Sequence, residues 1–470
     1  MTRPLAFLAA ACTLGLALFA TPLPAQTDAA PVLAKCDIGT KRPFRCGHIE
    51  VPNVRGAPEL GDRRIGFALR PQGDRSRPPL GTIVFVEGGP GYAATNSDSI
   101  RPTTAVFAPF LRRYRLVAID QRGTGRSQPL DCRELQRGRV PVARALRACA
   151  ARLGPLYQGY TTAESAADIE AVRTALGISR EEMILYGDSY GTYLGQSYAA
   201  RYGQGLRGLI LSSAYPGNDP FWRTLYPAAR RSIRLACVRS VRCSGDALAR
   251  FDRVIREAGP RSGFVRELLR FTMLEASSYA PGSWDRLNAR VARWLSGRKE
   301  RLRVTVDPGP PGSGPPGYFS EGMFAAVVCN DYPVPWDRSS PVPERKSELR
   351  EAVEAFRPRD LFAPLSRETW AMIPASGISS CLPWPGPTDL MEPPIPPGRE
   401  MPAGLDTLVI AGEFDAITSV AEGRQVERRF PRGRFYVAPD MGHASELYFP
   451  FTSPATDRIR NFVRVVTRGS

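Results

Sequence analysis

Four short apolar runs recur along the first half of the chain. They are Thr82-Ile83-Val84-Phe85-Val86, Leu116-Val117-Ala118-Ile119, Met183-Ile184-Leu185-Tyr186 and Leu209-Ile210-Leu211. A β-branched run without polar alternation predicts a strand buried on both faces. Between the second and third runs, residues 163–176 predict a helix. Ile169, Val172 and Leu176 keep helical spacing there, and Gly177 ends it. Strands alternating with helices imply a mostly parallel sheet. Residues 47–54 and 64–69 predict a short antiparallel pair at one edge.

After about Pro216 the rhythm stops. Residues 221–296 are mostly helical in pattern, 307–317 read D-P-G-P-P-G-S-G-P-P-G, and 383–402 are Pro-rich. Strand character returns at Thr407-Leu408-Val409-Ile410 and at Phe435-Tyr436-Val437-Ala438. The simplest arrangement is an α/β fold with an inserted, largely helical unit. Its expected parts are a core over 36–215, the insertion over 216–402, and the rest of the core over 403–470. The two core pieces together make roughly one domain of ordinary size.

The first residues read as a secretory leader. Arg3 precedes an apolar stretch over 5–20, then Thr21-Pro22-Leu23-Pro24-Ala25, with cleavage expected after Ala25 or near Ala30. The run is short for a membrane span. It is also short before Cys12 for a lipoprotein signal. Cysteine usage agrees with export: without Cys12, eight remain, an even number that suggests disulfides. Pairing of sequential neighbours gives Cys36–Cys46, Cys132–Cys149, Cys237–Cys243 and Cys329–Cys381, one of many possible connectivities. The expected location is periplasmic or secreted.

Composition then narrows the classes. The formal net charge is +17, yet Lys occurs only at 35, 41, 299 and 346, so the basic residues are mostly scattered Arg. Without a basic block or an aromatic-interleaved motif, the charge reads as a solvated surface rather than a nucleic-acid site. No stable membrane insertion is expected after leader cleavage. No Cys/His cluster has zinc-ligand spacing, and neither metal nor organic cofactor is implied. His48 and His443 are the only histidines, which excludes chemistry needing several imidazoles.

Three stretches carry candidate chemistry. Gly187-Asp188-Ser189-Tyr190-Gly191 has the G-x-S-x-G form between a predicted strand and a helical run at 192–202. This is the setting of a nucleophile elbow, whose sharp turn needs small residues on either side and raises the hydroxyl at a helix N-terminus. Glu87-Gly88-Gly89-Pro90-Gly91 follows the strand at 82–86 and can offer backbone N–H groups to a developing oxyanion. Pro90 has no N–H, so the donor is Gly88 or, preferably, Gly89; the amide of Tyr190 supplies the second. Asp415 and His443 follow the last two predicted strands, giving the chain order Ser, Asp, His. A serine needs a neighbouring base, histidine suits that task near neutrality, and the acid orients the ring. Glu413 and Asp440 are rival acids.

E-G-G-P-G at 87–91 and D-Q-R-G-T-G-R-S at 120–127 resemble the prolyl iminopeptidase family of α/β-hydrolases. Tyr160-Thr161-Thr162, residues 187–192 and the Cys329 region resemble its exported tripeptidyl aminopeptidase branch. The resemblance implies cleavage of peptides near a free N-terminus by Ser189, Asp415 and His443, with 216–402 as a cap and Arg122 in a structural role. Two departures stand out: Glu87 where the family commonly has His, and Asp188 where many members have a small residue. Glu87 either holds a substrate ammonium or satisfies local donors; Glu321 and Asp331 are further candidates for that amine. An exported esterase is the near alternative, and a non-catalytic binding protein on the same scaffold the distant one.

Overall fold

The computed structural model describes residues 30–40, 44–241, 243–272, 280–298, 314–372 and 378–468. The expected leader and most of 307–317 lie outside them. Among the described residues, nine strands form one sheet: β1 (Ala34–Cys36), β2 (Phe44–Pro52), β3 (Asp62–Arg70), β4 (Gly81–Val86), β5 (Tyr114–Ile119), β6 (Met183–Asp188), β7 (Gly208–Ser212), β8 (Thr407–Gly412) and β9 (Gly433–Ala438). Their spatial order is β1-β2-β3-β5-β4-β6-β7-β8-β9. Pairing is antiparallel from β1 through β3 to β5 and parallel from there to β9. The edge pair is thus present, slightly longer than its pattern, with β1 added outside it.

β4, β6, β7 and β8 are buried at every position, as their unbroken apolar runs require. Alternate residues feed two cores. Val84, Leu185, Leu209 and Val409 pack on one face with Ile169 and Leu194 of the helices Thr162–Ala175 and Tyr190–Tyr202. Ile83, Ile184, Ile210 and Leu408 pack on the other with Ile100 and Phe462 of the helices Ser97–Val106 and Pro454–Val466. Among the described residues, no named strand lies between β7 and β8. That insertion is helical, and its Ile233, Trp284 and Trp370 extend the first core.

The turn after β5 is locked by buried polar groups. Arg122 is fully buried and donates from Nε and Nη2 to the two Asp168 oxygens, each at 2.7 Å. Its Nη1 donates to the carbonyls of Asn53 and Gly159. Burial alone would raise the Asp168 pKa, but Arg122 and Arg55 outweigh it and hold the carboxylate below its usual range. The structural role expected of Arg122 therefore has a concrete form.

All four sequential cysteine pairs are bonded: Cys36–Cys46, Cys132–Cys149, Cys237–Cys243 and Cys329–Cys381. The last joins the helix Glu321–Asp331 to a segment 52 residues away within the insertion. No helix of the described residues is long and apolar enough to cross a membrane.

Candidate active site

β6 ends at Asp188 and the next helix begins at Tyr190, so Ser189 alone makes the turn. It stands at φ 51° and ψ −123°, a conformation non-glycine residues rarely adopt. The crowding explains the flanking glycines. A Cβ on Gly191 would lie 2.6 Å from the Val86 carbonyl oxygen, and one on Gly187 would strike the Gly191 backbone. Asp188 and Tyr190 are buried on either side, while Ser189 remains partly exposed.

The glycine turn after β4 presses on this elbow. A Cβ on Gly88 would stand 2.8 Å from Ser189 Cβ. The Gly88 amide lies near the Glu87 carboxyl group, and Gly89 follows it in the turn at φ 110°. Among the described residues, no group accepts from the Gly89 or Tyr190 amide. The insertion reaches the same turn: Ser320 N donates to Gly91 O at 3.0 Å, and the Phe319 ring meets Tyr92 edge-on at 4.6 Å. From below, Gln121 donates to the Glu87 carbonyl, so the turn after β5 braces it too.

Asp415 and His443 come together from the ends of β8 and β9. His443 Nδ1 lies 2.9 Å from Asp415 Oδ2, which also accepts from the Thr418 hydroxyl at 2.8 Å. Asp415 Oδ1 accepts from the Ile417 and Thr418 amides, each at 2.9 Å. Burial pushes the Asp415 pKa up, but the His443 ring and these donors outweigh it, so the pKa falls below the usual range. Burial lowers the His443 pKa, and Asp415 more than reverses that, so the pKa is raised. Glu413 and Asp440, the rival acids, instead bind Arg239.

The histidine loop is tied to the elbow through the end of β7. Ser189 N donates to Ser212 O at 2.9 Å, and Ala444 N donates to Ser213 Oγ at 2.8 Å. No hydrogen bond joins the Ser189 hydroxyl to the ring in this structure. Such bonds are often long before substrate binds.

The three acidic candidates lie in different settings. Glu87 is buried, with its Oε2 unpartnered, and burial raises its pKa to about 7. Glu321 opens the helix Glu321–Asp331 and anchors it by donating its amide to Gln136. Asp331 ends that helix. Its Oδ2 accepts from the amide and the hydroxyl of Thr162, and the same hydroxyl lies 2.9 Å from Tyr190 OH. Burial raises the Asp331 pKa to about 6. Two polar groups escaped the sequence reading. Thr418 directly follows Ile417, which closes an Asx-turn on Asp415, and that local turn could have flagged it. Glu446 follows His443 in a helix of four residues, Ser445–Tyr448, too short to show a period.

Residues 81–250 match the family model described as the alpha/beta hydrolase fold. With the sheet order and the strand–serine–helix turn, this gives the chain the α/β-hydrolase fold. It is 29% identical over 212 residues to a tripeptidyl aminopeptidase of Streptomyces coelicolor, covering 40% of this chain and 38% of that protein. It is 30% identical over 176 residues to a proline iminopeptidase of Neisseria meningitidis, covering 37% and 42%. It is 24% identical over 419 residues to serine protease Hip1 of Mycobacterium tuberculosis, covering 77% and 78%. The chain thus spans well under half of the first two relatives and most of the third. The resemblance read from the motifs is met by relatives of those names.

Proposed function

We propose that this protein is an exported serine hydrolase that cleaves peptides near a free N-terminus through an acyl-enzyme. Ser189 attacks the scissile carbonyl. His443 takes the hydroxyl proton on Nε2 and returns it to the leaving amine, while Asp415 holds Nδ1 and stabilises the imidazolium. The Gly89 and Tyr190 amides receive the oxyanion, aided by the N-terminus of the helix Tyr190–Tyr202. Water activated by His443 then releases the acyl group. The observation that carries this reading is the Asp415–His443 contact of 2.9 Å, in a chain whose serine turns at φ 51° against a glycine amide loop.

An aminopeptidase needs a fixed carboxylate, because a desolvated ammonium is costly unless paired. We assign that task to Asp331. Its carboxylate reaches the nucleophile's neighbour through Thr162 and Tyr190, and a pKa of about 6 leaves it ionised at neutrality. Residues 216–402 act as a cap that limits access to chain ends. The leader motif and four disulfides support export to an oxidising compartment.

Covalent labelling tests the mechanism. A fluorophosphonate probe is expected to modify Ser189 alone, as mapped by peptide mass. Ser189→Ala is expected to fold normally and lose about four to six orders of magnitude in turnover. Near-parental turnover in a folded Ser189→Ala protein contradicts the assignment.

A further inference from the structure

Each of the three loops that carry the proposed chemistry also carries a buried carboxyl group that the mechanism does not use. Glu87 precedes the oxyanion glycines, Asp188 precedes the nucleophile, and Glu446 follows His443 by three residues. Their exposures are 7%, 3% and 0%. One oxygen of each has no hydrogen-bond partner: Glu87 Oε2, Asp188 Oδ1 and Glu446 Oε2. Glu446 Oε1 accepts from Tyr186 OH at 2.7 Å.

Around Glu87 and Asp188 the neighbours are other acids, hydroxyls and backbone rather than cations. Asp120 faces Glu87 from the turn after β5, already accepting from Thr95 and the Arg126 amide. Ser99 lies beside Glu87 from the helix Ser97–Val106. Tyr186 of β6 faces all three acids, and His443 faces Glu446 while its ring is committed to Asp415. Arg126 acts on Asp120 instead. Among the described residues, no three His, Cys, Asp or Glu groups converge to hold a metal ion. Glu87 and Asp188, buried at the ends of neighbouring strands without a cation, cannot both be ionised. Protons are the remaining way to neutralise them, and a protonated carboxyl gives its neighbour the donor that the orphaned oxygens lack.

We propose that Glu87 and Asp188, which follow the paired residues Val86 and Gly187 at the ends of β4 and β6, form a proton-sharing carboxyl pair that, beside the buried Glu446, positions the oxyanion turn, the nucleophile elbow and the histidine loop against one another. Its members are positioning residues, and their role rests on the mechanism above. Close approach supports it: a Cβ on Gly88 would lie 3.2 Å from Asp188 Oδ2. So does the electrostatics. Burial first, then Glu87 and Glu446, raise the Asp188 pKa well above its usual value. At low pH the Glu87–Asp188 pair is neutral and the loops stay together. As pH rises past neutrality its last shared proton leaves, the like charges repel, and Gly89 moves away from Ser189.

The test has two readouts. The first is the pH dependence of fluorophosphonate labelling of Ser189, normalised to each protein's own maximum, in the parent, Glu87→Gln and Asp188→Asn. The parent's rate is expected to fall on the alkaline side. At least one amide variant is expected to move that fall upward by about one pH unit or more, since an amide keeps the shape and removes one charge. An alkaline limb unmoved in both variants overturns the proposal. The second readout needs no reactive serine. The infrared difference spectrum near neutral pH should contain the carbonyl stretch of a protonated carboxyl, reduced in Glu87→Gln and Asp188→Asn. Its absence from the parent overturns the proposal whether or not Ser189 reacts. Its presence beside an unlabelled Ser189 upholds the shared proton and refutes the catalytic reading instead.

Discussion

Asp415 holds His443 through a single oxygen, Oδ2, at 2.9 Å from Nδ1, and that same oxygen takes the Thr418 hydroxyl. The other oxygen is filled by two backbone amides. The acid is therefore fixed on both edges, and the ring can present only Nε2 to the substrate side. Asp415→Asn is expected to lower kcat/KM by about four orders of magnitude, the scale for losing the correct ring tautomer. Thr418→Val keeps the charge and the two amides, so its loss is expected to be about tenfold, one hydrogen bond to a charged group. Steady-state assays of both variants check this. Equal losses would mean that Thr418 does more than support the acid.

The pH profile follows from the sign of the His443 shift. Its pKa is raised in the folded protein above the ordinary value of 6.5. The stability it contributes is therefore full below 6.5 and fades as pH rises through the folded value. Activity runs the other way, because only the neutral ring accepts a proton. The acid limb of kcat/KM is expected to have its midpoint above 6.5 in the parent. In Asp415→Asn that midpoint should fall, as the paired charge is gone. A parental midpoint well below 6.5 contradicts the Asp415–His443 pairing in solution.

The Cys329–Cys381 bond closes the longest of the four cysteine loops and lies wholly within the insertion. Replacing both cysteines with Ala is expected to destabilise the protein by about 2–4 kcal/mol. The loss should appear in kinetics as well, because the helix bearing Cys329 also bears Asp331. Denaturant titration with parallel kinetics checks both. Thiol titration of the denatured, unreduced mature protein should find no free thiol.

The central strands were legible because burial on both faces leaves an unbroken apolar run, as in β4 and β6. The elbow was legible because backbone crowding dictates Gly187 and Gly191. β1 was not, since Ala34-Lys35-Cys36 is too short to show a period and is held by pairing and a disulfide. Glu446 was hidden for another reason. A lone acidic residue reads as solvated surface, and only the packing of three loops buries it. The insertion's acids could be named in advance, but which of them approaches the elbow depends on how Thr162 meets Asp331, 169 positions apart.

The central claim is recognition of a free amine beside a serine nucleophile, and one comparison tests it most directly. Measure kcat/KM for one peptide arylamide with a free and with an acetylated N-terminus, in the parent and in Asp331→Asn. The parent is expected to prefer the free amine by about 2–5 kcal/mol, the scale for breaking a buried charge pair. Asp331→Asn should erase most of that preference while keeping hydrolysis of small neutral esters. Equal cleavage of both forms by the parent would contradict the aminopeptidase account and leave an esterase or endopeptidase in its place.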